Sequence, residues 1–568
     1  MASRWSLSLI AVGCVGALGL GMSPAAAPVG RNTGAEFLVL YRQGVPDDAA
    51  HRAIGAAHGV MVHENRAIGL ATVRSDPGFP GRARQQPLLR EVAWNRTVGT
   101  APDTGTSRTA VNRTTTGRTA EAREAPGGTG LPARTAPLAK YQWDMRQIHA
   151  TGDGSQAIER GRPSVRVGVI STGIDASHPD IAKNFDRADS RDFAVDIPED
   201  ANGKTVDGPC RYEGCRAPSD VDPDGHGTAL ASLIAGAGTG MAGVAPDVRL
   251  VNLRAGTKSG LFLLGPTVDA LTYAADRRLD IVDLNYVDPW LFNCADNPAD
   301  SPEEQAQQRL DIEAMRRALD YAHHRDVTMI ATAGSQYADY TKPYVDRISP
   351  YFAAFKGQNP HTRNIPAICQ SLPAEGDHVM AVGATGISTR KAVYSSFGNG
   401  YITVTAPGGD AYDTADHKQD VTRSVLTAYP EAVAREHGDL NPDGTPRNPA
   451  VIRHCAHGTC GYYIFQEGTS MAAPHVVGVA ALIVSRLKQQ QASAGGVSPE
   501  LVERLLRRTA DAHACPLPAT VVYVSQVKQP DGSYRRVESR QTCEGRADGN
   551  GFYGAGIVDA LKAVKAVG

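Results

Sequence analysis

The chain has 568 residues, 42% hydrophobic and 21% charged, with a formal net charge of −2 at pH 7. That length allows several domains and at least one large core, and the balance of apolar to charged residues excludes a wholly disordered chain and any basic footprint for nucleic acid. The 59 glycines and 36 prolines predict many turns.

In chain order, Arg4, an apolar run from Leu7 to Leu20 and the small residues Ser23-Pro24-Ala25-Ala26-Ala27 read as a secretion signal over residues 1–27. Cys14 lies inside the apolar run, with too little apolar sequence before it for a lipid anchor. No later run reads as long and apolar enough to span a bilayer, so the sequence predicts an exported, extracellular protein without a membrane anchor. Eight cysteines remain after the signal, an even count that reads as disulfides in an oxidising compartment. Sequence proximity favours Cys210–Cys215, Cys455–Cys460 and Cys515–Cys543, and elimination leaves Cys294–Cys369. The stretch His454-Cys455-Ala456-His457-Gly458-Thr459-Cys460 also carries the donor types of a zinc site, but export favours the disulfide.

Residues 36–99 read as a small α/β unit within a 28–100 domain. A strand over 36–41 is followed by a helix from Pro46 to His58 with Asp47 and Asp48 in its first turn. Strands follow at Val60–His63 and Ile68–Val73, then a short helix near Gln85–Leu89 and a strand near Val92–Val98. Residues 101–139 are rich in Thr, Arg, Pro, Gly and Ala and too poor in large apolar residues to offset chain ordering, so they read as a flexible linker.

From 140 to 568, apolar runs alternate with helical patterns. Strands are predicted at Val165–Ile170, Val248–Leu253, Ile281–Tyr286, Val327–Thr332 and Val379–Gly383. Helices are predicted at Gly227–Ala235, Thr267–Leu279 and Glu303–Arg325, and after Ser498-Pro499. This alternation predicts a doubly wound, mostly parallel α/β sheet, whose sites form at the carboxyl ends of the strands. Ser171, Asn285 and Ser335 each fall at or just past such an end.

Ser470, in Glu467-Gly468-Thr469-Ser470-Met471-Ala472-Ala473-Pro474-His475, opens a segment apolar nearly all round, which predicts a buried helix. A helix N-terminus presents free N–H groups and partial positive charge, an activating setting for a serine. Any one serine before a helix is more commonly a simple cap, but this string is too specific for that. His226, between Gly225 and Gly227, is the candidate general base.

These motifs resemble the subtilisin family of serine proteases, in family order from about residue 141 onward: Ile174-Asp175-Ala176-Ser177-His178-Pro179-Asp180-Ile181, His226-Gly227-Thr228, Gly243-Val244-Ala245-Pro246, Ala406-Pro407-Gly408, the Ser470 string, and Gly554-Ala555-Gly556-Ile557-Val558-Asp559-Ala560. Residue usage is similar to that of actinobacterial members. The resemblance implies a subtilisin-like fold preceded by a small α+β, ferredoxin-like pro-domain that inhibits the site. It implies protein or peptide substrates, Ser470 as nucleophile and His226 as base. It requires no cofactor for the chemistry and allows a structural calcium ion, for which no ligands are assigned. Asp220, Asp222 and Asp224 read as a solvated loop.

Three positions depart from the family pattern. Ser171 stands where the family has the triad Asp, and Ser335, just past Gly334, where it has an oxyanion-binding Asn. The substrate-pairing strand reads Asp283-Leu284-Asn285-Tyr286-Val287, so Asn285, Tyr286 and Gly334 are the expected substrate-binding residues. Loss of the Asp from subtilisin lowers kcat by about 3 × 10⁴, and loss of an oxyanion donor by about 10²–10³. Asp175 is a candidate replacement carboxylate. The expectation is therefore a secreted peptidase homologue with strongly impaired hydrolysis. The alternatives are a silent pseudo-protease that binds peptides or a partner in the former cleft, and an esterase that reuses Ser470 and His226.

Overall fold

The computed structural model describes residues 35–101, 135–286, 294–347, 349, 351, 353–456, 458–490, 496–529 and 532–567. The predicted signal with Cys14, most of the predicted linker, Val287 and His457 lie outside the described residues.

The N-terminal unit runs β1 (Ala35–Tyr41), α1 (Asp47–Ala56), β2 (Val60–Asn65), β3 (Leu70–Ser75), α2 (Phe79–Ala83) and β4 (Leu89–Trp94). Its sheet is antiparallel in the order β2-β3-β1-β4, a ferredoxin-like arrangement. Alternation along β1 sends Phe37 and Val39 into a core with Ile54, Val73 and Phe79, while Leu38 and Leu40 face the rest of the chain. The short helix forms earlier than the sequence suggests, because the fully buried Phe79 anchors it and Leu89 already belongs to β4. The last strand is split: β4 stays in the sheet, and β5 (Thr97–Thr100) leaves it.

The larger unit is built on β6 (Arg166–Ser171), β7 (Arg191–Asp192), α3 (His226–Ala235), β8 (Arg249–Arg254), β9 (Leu261–Leu263), α4 (Leu264–Asp276), β10 (Ile281–Leu284), α5 (Pro302–His323), β11 (Thr328–Thr332), β12 (Val379–Thr385), β13 (Val404–Pro407) and α6 (Thr469–Gln490). Seven strands form a parallel sheet in the order β13-β12-β11-β10-β6-β8-β7. Val167 and Val169 pack with α3 and α6 on one face, while Ile170, Val282 and Leu284 pack with α4 and α5 on the other. The N-terminal unit seats on α4 and α5. Leu38, Leu40 and Leu70 share a core with Leu264, Ala314 and Ala318, and the buried Arg317 donates to the carbonyls of Tyr41 and Ile68 at 3.0 and 2.9 Å. β5 pairs antiparallel with β9, and Ala101 N–H donates to Gly260 O. At the far end of the predicted linker, Leu138 is buried and its N–H donates to Gly240 O.

One expectation about membranes is corrected. α6 has the length and apolar composition of a membrane span, but it is almost wholly buried inside the protein. A helix enclosed on all sides is apolar all round for the same reason a spanning helix is. All four expected disulfides form: Cys210–Cys215, Cys294–Cys369, Cys455–Cys460 and Cys515–Cys543. Ser498 caps the helix Pro499–Thr509, accepting from Leu501 N–H. The hairpin of Thr520–Lys528 with Tyr534–Thr542 is an addition the sequence did not suggest, since most of its residues are exposed or half-buried and show no clean alternation.

Candidate functional site

The site forms where the carboxyl ends of β6, β10 and β11 meet the N-termini of α3 and α6. Ser171 ends β6 on the face turned to α3, fully buried. His226 is the first residue of α3, after Gly225 in a left-handed conformation. The turn after β6 and the start of α3 touch backbone to backbone: a Cβ on Gly227 would lie 1.9 Å from Gly173 O. The glycine beside the histidine is thus needed for close approach.

Ser171 Oγ lies 2.9 Å from His226 Nδ1. The other ring nitrogen, Nε2, is buried without a hydrogen-bond partner, and so is Ser470 Oγ on the first turn of α6. His226 is 1% exposed, and burial holds its pKa down to about 3. No acidic group offsets that shift, consistent with a ring whose Nδ1 meets a hydroxyl.

Asp175 does not reach the ring: its Oδ1 accepts from the backbone N–H and hydroxyl of Ser177 at 2.9 and 2.6 Å. The reading of Asp220, Asp222 and Asp224 as a solvated loop is corrected for Asp222, which is 3% exposed. Its carboxylate accepts five hydrogen bonds, from the hydroxyls of Thr172 and Thr228 and from the N–H groups of Asp224, Gly225 and Thr228. It ties the turn after Ser171 to the first turn of α3, and burial raises its pKa. Asp224 Oδ1 accepts from His226 N–H, and Asp220 pairs with Arg187. The signal available in the sequence was an Asp just ahead of a predicted helix start.

Ser335 follows β11 and reaches α6. Its Oγ accepts from Thr469 N–H at 3.2 Å and lies 3.0 Å from Thr469 Oγ1, which in turn accepts from Thr332 Oγ1 at 2.5 Å. The hydroxyl therefore supports the N-terminus of the helix that carries Ser470. Gly334 has φ +96° and its carbonyl accepts from Ser396 N–H. Asn285 is fully buried and donates through Nδ2 to Ser470 O at 2.9 Å. Tyr286 stacks on Phe262 of β9, centroids 4.9 Å apart, and its buried hydroxyl has no partner.

Sequence reasoning passed over three ionisable groups here, Asp283 and Arg254 fully buried and Glu467 half-buried. Asp283, one turn of the pleat before Asn285, has its pKa raised to about 8 by burial. Glu467, just before the Ser470 turn, is raised to about 7 by burial. Arg254, paired in register with Ser171, is fully buried and donates to Thr172 O, Asp192 and Asp196. A charge inside an apolar strand, as in Ile281-Val282-Asp283-Leu284, was the visible signal for Asp283.

Among the described residues no group of three His, Cys, Asp or Glu side chains could hold a metal ion. Asp180, the buried carboxylate of the His178-Pro179-Asp180 motif, accepts from Thr239, Gly240 and Met241 N–H and from Tyr463 OH, which leaves it donors rather than a cation.

Over 377 residues the chain is 27% identical to a probable subtilase-type serine protease of Deinococcus radiodurans, covering 66% of this chain and 40% of that protein. It is 26% identical over 503 residues to an extracellular protease of Xanthomonas campestris, covering 84% and 69%. A thermophilic serine proteinase of a Bacillus species is 24% identical, and the match spans 58% of its length, so two of these three relatives are covered for less than two thirds. Among solved structures, the epidermin leader peptide processing protease of Staphylococcus aureus superposes with a TM-score of 0.58 at 17% identity, over 94% of this chain and 98% of that one. Residues 162–542, more than half of the chain, match the subtilase family (Peptidase_S8), and the chain belongs to that family.

Proposed function

We propose that this protein is an exported peptidase homologue in which Ser470 is the nucleophile and His226 the base, and in which peptide-bond hydrolysis is strongly impaired. Residues 1–27 act as the signal, 28–100 as an inhibitory pro-domain, 101–139 as the linker and 140–568 as the peptidase domain. The observation that carries the reading is the 2.9 Å contact between Ser171 Oγ and His226 Nδ1. Attack by Ser470 Oγ on a peptide carbonyl needs Nε2 unprotonated and the imidazolium stabilised once it takes the proton. A carboxylate on Nδ1 does both, because it can only accept. A hydroxyl donates or accepts equally, so it selects neither tautomer and supplies no charge. Ser335 in turn is engaged with Thr469, which leaves the oxyanion to backbone N–H groups at the start of α6.

The extracellular relative supports export, and the pairing of β5 with β9, whose Phe262 stacks on Tyr286, supports an N-terminal unit that lies beside the expected substrate-binding residues. The same pairing favours the second reading, a silent pseudo-protease whose groove holds peptide.

Two tests separate them. Purified full-length protein incubated alone is expected to keep its N-terminal unit, with mass unchanged over a day. Cleavage within 101–139 that Ser470→Ala abolishes would show working turnover. Where residual hydrolysis is measurable, its rate holds steady as pH falls from 7 to 5, since His226 stays neutral down to about 3. With Ser171→Asp the new carboxylate raises the imidazole pKa, and an acid limb returns toward neutral pH. A parent protein that loses activity near pH 6.5 would mean an anion already sits on the ring.

A further inference from the structure

α6 contains Pro474, four residues after Ser470. Proline has no N–H, so the carbonyl of Ser470 loses the donor a helix would otherwise give it. That carbonyl belongs to a fully buried residue and needs a donor from elsewhere. Asn285 supplies it: Nδ2 stands 2.9 Å from Ser470 O. The placement follows from strand register. Leu284 of β10 pairs with Ile170 of β6, so Asn285 comes next to Ser171 on the face that α6 covers. The second N–H of the same amide faces Asp283, with contacts of 3.3 and 3.4 Å to its two carboxyl oxygens. These two acceptors fix the orientation of the amide, since turning it over would set Oδ1 against the Ser470 carbonyl, acceptor against acceptor.

We propose that Asn285 is a positioning residue for the nucleophile. It replaces the backbone amide that Pro474 removes, and by holding the Ser470 carbonyl it fixes the Ser470 side chain on the first turn of α6. This assigns Asn285 to the helix beneath the nucleophile rather than to the substrate, and it rests on reading Ser470 as that nucleophile.

The two roles predict different kinetics. In a Ser171→Asp, Ser335→Asn background, where turnover is measurable, Asn285→Ala lowers kcat by about 10²-fold through misplacement of the attacking oxygen, with KM little changed. Adding Pro474→Ala returns an N–H to the helix at the position Asn285 served, so Asn285→Ala, Pro474→Ala recovers most of the lost kcat. A raised KM with kcat intact in Asn285→Ala, or a double variant no faster than the single one, overturns the proposal.

Labelling of Ser470 by a fluorophosphonate separates this from failure of the peptidase reading. If the background protein neither labels nor hydrolyses peptide, that reading is wrong. Melting temperatures of the same variants then decide the contact. Non-additive loss, with Pro474→Ala offsetting Asn285→Ala, supports the hydrogen bond, and additive loss refutes it.

Discussion

A Ser171→Asp, Ser335→Asn protein hydrolyses unfolded casein at least about 10⁴-fold faster than the parent, with most of the gain from position 171. The carboxylate that replaces Ser171 Oγ meets His226 Nδ1, holds the proton there, and leaves Nε2 free to take the proton of Ser470 Oγ. The buried imidazole, now held at about 3, regains a counter-charge and becomes an effective base near neutrality. Position 335 adds less than its nominal 10²–10³, because the two changes act on one transition state and because Asn must also replace the support Ser335 gives to Thr469 N–H. The neighbouring Arg254 does not capture the new carboxylate. Its guanidinium is already committed to Asp192, Asp196 and the Thr172 carbonyl. Rates for parent and revertant that agree within a factor of ten would sink the account of impaired catalysis, since they would require some other group to orient the ring.

Asp283→Asn stabilises the protein, and the gain increases with pH. Burial raises the pKa of Asp283 from 3.8 to about 8, so the native state keeps a proton that the unfolded chain releases. A folded-state pKa above the unfolded value gives stability that is full below the unfolded pKa and is lost as pH rises through the folded one. Between pH 4 and 8 that loss is about 1.4 kcal/mol for each pH unit, several kcal/mol in all. Asn stays neutral throughout and keeps an acceptor for Asn285 Nδ2. Urea denaturation at pH 5 and pH 8.5 measures the effect: the advantage of the variant over the parent grows by on the order of 4 kcal/mol between the two. A difference independent of pH would mean that Asp283 is solvated and ionised in the native protein.

The parts of the fold that were legible in the sequence were those marked by an apolar run or a helix cap. The core strands announced themselves as apolar runs, and β6, β8, β11 and β12 begin within one residue of expectation. Ser498 before Pro499 marked its helix through the cap alone. The five-residue α2 was misplaced because so short a helix shows no period, and its anchor, Phe79, is recognisable only once the N-terminal core is known. At the site, the family resemblance paired Ser171 with His226, which meet at 2.9 Å, and set Ser335 near the turn that carries Ser470, where it accepts from Thr469 N–H. Chain order could not show where the polar atoms end up. Asp222 looks like one more acid in a hydrophilic loop, and only tertiary packing turns five donors on to it. Asn285 looks like a substrate-strand residue, and the missing amide it serves lies 189 positions further on, at Pro474.

The seam between the two folded units has a consequence for release. Leu38, Leu40 and Leu70 sit in one apolar cluster with side chains of α4 and α5, and Arg317 reaches across to two carbonyls of the N-terminal sheet. Severing the connecting segment removes none of this. On the reading proposed above, the clipped fragment would remain a tightly held ligand, and a chain too slow to digest it would have no means of shedding it. Uncapping would then depend on a second, fully competent proteinase in the surrounding medium.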